Sequence, residues 1–164
     1  MTALLRRRWL VVVPLVLLAA CAQVPRTPAT APAVRDQWSG RLALRIATEP
    51  VQSFFAGFDL RGNAQSGELS LHSPLGSTIA RMLWAPGLAQ LTWNGQQRNF
   101  GSIGALTREA TGTELPITSL FAWLAGHDSQ ADGWSADLGQ LGDGKLVAER
   151  THPSPAVTMR LVLD

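Results

Sequence analysis

One cysteine in 164 residues, Cys21, excludes an internal disulfide framework. With only three histidines, His72, His127 and His152, there is no His/Cys/Asp cluster at metal-ligand spacing. The phosphate-cradling glycine loop is missing, so any transport runs without nucleotide. No Gly-x-Ser-x-Gly elbow presents a hydrolase nucleophile. The adjacent pair His127-Asp128 lies in a polar segment after a helix stop and reads as a solvated loop pair, because general-base work also needs a positioned nucleophile. No enzyme and no cofactor are expected. Long apolar runs are lacking too: the longest, Trp9 to Leu18, falls short of the roughly 20 residues that cross a bilayer.

What that short run does form is a leader. Arg6, Arg7 and Arg8 precede it, and Leu18-Ala19-Ala20-Cys21 closes it with small residues. Residues 1–20 read as a lipoprotein signal peptide, cut before Cys21, whose thiol is acylated. Removing the leader's three arginines from 14 basic groups leaves 11 against 12 acidic ones, so the mature chain is nearly neutral. The high whole-chain pI therefore belongs largely to the leader, and no basic excess remains to bind nucleic acid. Removing residues 1–20 from 164 leaves 144, enough for one core and too few for two comfortable ones.

Residues 21–36 are rich in Ala, Pro and Thr, with Pro25, Pro28 and Pro32, and are expected to form a flexible lipidated tether. At roughly 3.1 Å per residue it would hold the domain about 40 Å or less from the membrane. Ala22 carries no charge. An acidic residue at that position tends to mark inner-membrane retention in Gram-negative sorting, so its absence resembles an outer-membrane address.

From residue 37 to 164 the pattern is that of one β-rich domain. Leu42, Leu44 and Ile46 alternate with polar or small residues, as do Phe54, Ala56, Phe58 and Leu60, then Leu69 and Leu71. Ala80, Met82 and Trp84 lead to a turn at Pro86-Gly87, and Ala89, Leu91 and Trp93 run into the hairpin dipeptide Asn94-Gly95. After Phe100 the period changes. Ser102 is placed to cap a helix carrying Ile103, Leu106 and Ala110, and Gly112 to stop it. A second helix opens at Pro116, buries Leu120, Trp123 and Leu124, and ends at Gly126. Alternation returns over 145–150 and 157–163, with Pro153 and Pro155 between.

Behind the lipobox come Gly40-Arg41-Leu42, a Phe-rich strand, Gly67-Glu68-Leu69-Ser70-Leu71 and Ser73-Pro74-Leu75-Gly76-Ser77-Thr78. Ala110-Thr111-Gly112-Thr113-Glu114-Leu115-Pro116 and Trp123-Leu124-Ala125-Gly126 follow. In this order the motifs resemble the LolB family of outer-membrane lipoproteins, over most of the mature chain. The resemblance implies a mainly β (α+β), LolA/LolB-like fold: an open antiparallel barrel or curved sheet, with short helices across the mouth of an apolar cavity. It implies a monomer, lipid-anchored and facing the periplasm, that accepts acylated lipoproteins from a LolA-like carrier and inserts them into the inner leaflet of the outer membrane.

Phe54, Phe58, Leu69, Leu71, Met82 and Trp84 are the candidate cavity lining, and Leu106, Leu120, Trp123 and Leu124 the candidate helix lid. Leu75, between Pro74 and Gly76, is implied to lie on a projecting loop that delivers cargo to the membrane; by turn chemistry alone it stands at the tip or folds back as a plug. Only 38 residues follow Gly126, so a barrel with fewer strands or a wider opening than in better-known members is expected. The alternative from another class is an anchored structural or envelope-assembly lipoprotein with a filled barrel and no ligand.

Overall fold

The computed structural model describes residues 37–164. The leader, Cys21 and the tether lie outside the described residues. Six strands follow one another as a meander: β1 (Gln37–Ile46), β2 (Gln52–Gly62), β3 (Gly67–His72), β4 (Thr78–Ala85), β5 (Leu88–Trp93) and β6 (Gln96–Asn99). Helices α1 (Ile103–Thr111) and α2 (Ile117–Leu124) come next, then β7 (Trp134–Asp137), β8 (Lys145–Arg150) and β9 (Val157–Leu163). The last strand returns to pair with the first. One antiparallel sheet of nine strands results, in the order β6-β5-β4-β3-β2-β1-β9-β8-β7. Since β6 and β7 are its two edges, the sheet is open rather than closed.

Turn chemistry sets the registers. Asn94 and Gly95 both take positive φ, as a two-residue hairpin demands, and Trp93 pairs with Gln96. Asn63 Oδ1 accepts from the backbone N–H groups of Gln65 and Ser66, each at 2.9 Å, closing the β2–β3 turn. Gly67 is required by packing: a Cβ there would come within 2.5 Å of both the Trp84 ring and the Arg61 carbonyl oxygen. Edge strand β6, Gln96–Asn99, is exposed throughout and has no apolar side chain to announce it. The hairpin turn alone brings it into the sheet, and its polarity protects the edge from pairing with other chains.

Alternation divides the sheet into a core face and a water face. Leu42, Leu44 and Ile46 of β1, Ala56, Phe58 and Leu60 of β2, and Leu146 and Ala148 of β8 are all buried on the same side as the helices. Both helices keep the bounds their caps dictate. Ser102 accepts from the Ala105 N–H at 3.1 Å, and Gly112 ends α1 in the left-handed conformation while its N–H donates to the Arg108 carbonyl. Pro116 precedes α2, and the N–H of Gly126 donates to Trp123 at 2.9 Å.

Candidate functional site

Ser73-Pro74-Leu75-Gly76-Ser77 forms a tight projection between β3 and β4. Its base is closed by the Ser73 N–H donating to the Ser77 carbonyl and the Gly76 N–H to the Ser73 carbonyl, both at 2.8 Å. The Ser77 N–H also reaches Ser73 Oγ at 3.3 Å. Gly76 supplies the positive φ of 82° that an L side chain rarely adopts. Beneath the turn, His72 Nε2 lies 2.7 Å from Asp59 Oδ2 across the β2–β3 pair, and its Nδ1 lies 3.3 Å from Thr78 Oγ1. These contacts clamp the stem and leave the tip to Leu75, which is 94% exposed. Of the two positions turn chemistry permits, the leucine takes the tip. The His72–Asp59 contact joins residues 13 apart and has no local sequence signal; strand register creates it.

The six candidate lining residues share one interior. Phe58, Leu69, Leu71, Met82 and Trp84 are buried and Phe54 is half-buried. The same core takes in α2, whose Leu120, Phe121, Trp123 and Leu124 are all buried. Phe121 meets Trp38 and Trp84 edge-on, with centroids 5.5 Å and 6.3 Å away. Leu106 of α1 is equally enclosed. The helix residues read as a lid are therefore the plug of a packed core in this conformation. Phe121 and Ile117, not among the candidates, belong to the same set; Phe121 follows Leu120 directly, and Ile117 stands one turn before Leu120 on the same helical face.

The connection between the helices is held by threonines, which explains the Thr-Gly-Thr motif. Thr107 Oγ1 donates to the Gly104 carbonyl at 3.0 Å and accepts from the Leu115 N–H at 3.1 Å. Thr111 Oγ1 lies 2.9 Å from the Thr107 carbonyl and 3.1 Å from that of Thr113. All these hydroxyls are buried, so a valine at either site would strand backbone polar groups. An open cavity of about 580 Å³ lies at the start of both helices, with Ile103, Leu115, Ile117 and Trp134 among its apolar walls and Glu114, Asp132 and Arg150 among its polar ones. None of the six sequence-derived candidates lines it. Its volume is within the usual range for small-ligand pockets. No signal in the sequence could have located it, because β7 and α2 meet only after folding.

A family model described as outer membrane lipoprotein LolB matches residues 36–151, from the start of the sheet to the end of β8. The chain belongs to the LolB family. The outer-membrane lipoprotein LolB of Bordetella petrii is 33% identical, with 96% of this chain and 92% of that protein covered. The LolB of Dechloromonas aromatica is 35% identical over 88% of this chain and 78% of its own length. That of Thiobacillus denitrificans is 30% identical over 90% of both chains. The family places the protein among lipoproteins of the outer membrane. Among the described residues no helix is long and apolar enough to cross a bilayer.

Proposed function

We propose that this protein takes acylated lipoproteins from a LolA-like periplasmic carrier and places them in the outer membrane, acting by binding and release rather than by catalysis. Family membership over residues 36–151 carries this reading, and the fixed, exposed Leu75 turn supports it. The driving force is hydrophobic. Each methylene withdrawn from water contributes about 0.8 kcal/mol, so an acyl chain stays with a protein or a membrane rather than crossing water alone.

Cargo and α2 compete for one volume. The apolar side chains of α2 share one buried core with Phe58, Leu71 and Met82, and Phe121 packs edge-on against Trp84, so an acyl chain enters as the helix gives way, beginning at the 580 Å³ opening beside the helix starts. The helix leaves the sheet only if the acyl chain restores the apolar contacts it loses, which couples loading to the presence of cargo.

The test is two-step transfer: a labelled lipoprotein passes from a LolA-like carrier to the purified protein, and from there to liposomes. Saturable uptake of a fluorescent fatty-acid analogue should accompany it. A filled barrel with a structural role would bind no analogue and accept no cargo, and that outcome sinks the reading. Membrane attachment is assigned to Cys21: mass spectrometry should find it acylated at the mature N-terminus, and Cys21→Ser should release the protein from the membrane. An unmodified cysteine, or a leader cut elsewhere, overturns the assignment.

A further inference from the structure

The water face of the sheet carries an aromatic side chain that folding does not account for. Phe55 of β2 is 68% exposed, on the side opposite the helices. It stands directly across from Ala43 of β1, with Arg41 and Arg45 as the diagonal neighbours on that strand. Arg160 of β9 faces Ala43 from the other side. The three arginines are exposed, and none forms an ion pair among the described residues. Acidic groups nearby are Glu49 in the β1–β2 turn, Glu149 of β8, which pairs with Thr158 next to Arg45, and Asp164, whose N–H donates to the carbonyl of Ser39 two residues before Arg41; Asp59 is occupied by His72.

The strip and the Leu75 turn share one end of the sheet. Strand β3 leaves β2 at His72, opposite Gly57, so the turn of residues 73–77 stands beside the half of β2 that holds Phe55. Val51, half-exposed in the β1–β2 turn, lies at that end too. An aromatic ring ringed by guanidinium groups suits the headgroup layer of a bilayer, where rings sit at the interface and arginines meet lipid phosphates. A lipoprotein of the outer membrane is held within reach of such a surface.

We propose, resting on the delivery role above, that Phe55 with Arg41, Arg45 and Arg160 is a second membrane contact, seated on anionic phospholipid while the Leu75 turn inserts. It orients the domain, so that the projecting leucine meets the bilayer rather than the periplasm.

The test uses the mature acylated protein in vesicles, with an environment-sensitive fluorophore on Ser53→Cys, an exposed position next to Arg45. Brominated lipid should quench the label in phosphatidylglycerol-containing vesicles. The ratio of seated to free label should fall about five-fold for each of Arg41→Gln, Arg45→Gln and Arg160→Gln, and also on adding salt. Phe55→Ser should lower it on the order of ten-fold, with the melting temperature unchanged. Quenching that is absent, or that is lost in Leu75→Glu but indifferent to Phe55 and the arginines, overturns the proposal. So does protection of the label only when the carrier protein is added, which would make this face a protein-docking surface. Delivery is measured in the same vesicles: seating without delivery sinks the functional reading and leaves this contact standing, whereas delivery without seating does the reverse.

Discussion

Replacing Trp123 with alanine should lower the melting temperature by about 10 °C or more, the largest stability loss expected from a single substitution in this domain. The indole has no exposed surface, so its removal forfeits transfer free energy and leaves a cavity, together about 3–5 kcal/mol. It has a polar task as well. Its Nε1–H donates to the Ser129 carbonyl at 2.7 Å, and beside it the Ser119 and Ser129 hydroxyls meet at 2.9 Å, pinning the segment after α2 to the helix. Trp123→Phe separates the two effects. It keeps most of the apolar volume but strands the carbonyl, and should cost about 1–2 kcal/mol. A thermal melt of both variants decides the matter. If Trp123→Ala melts like the wild type, α2 is not the plug of this core, and the account of cargo competing with it fails too.

Leu75→Glu should do the opposite: leave the fold intact and abolish most delivery. The side chain is 94% exposed and its turn is held by backbone bonds, so stability should stay within about 0.5 kcal/mol of wild type. Transfer of cargo from carrier to protein should continue, because the substitution is remote from the interior. Release into liposomes should fall about ten-fold or more, since a carboxylate resists entering hydrocarbon where a leucine gains by it. Leu75→Ala should fall between. Normal delivery by the glutamate variant would remove the membrane role of this turn, and loss of fold would make the leucine structural.

Much of the architecture was legible because its signals are local. The helix bounds at Ser102, Gly112, Pro116 and Gly126 follow from backbone groups that only certain residues satisfy, and the structure keeps all four. Strands over 145–150 and 157–163 are where period-two alternation put them. Strand β6 was not legible in its own residues, since Gln-Gln-Arg-Asn has no apolar period and only the Asn94-Gly95 turn before it pointed to a returning strand; nor was β7, whose four residues bury only Trp134. The open antiparallel sheet itself agrees with the fold that the order of motifs implied.

The sequence by itself determined seven of the nine strands, the two capped helices, the order of motifs that marks the family, and the turn that carries Leu75. Each depends on neighbours within a few residues, where backbone sterics and side-chain period decide. Tertiary structure decided that Leu75 stands at the tip, that α2 packs into the core with Phe121 against Trp38 and Trp84, and that His72 meets Asp59. It also gathered Phe55 and three arginines from β2, β1 and β9 on one face. Those contacts join residues far apart in the chain. Strand order and register bring them together, and a one-residue slip would have turned each strand's set to the opposite face.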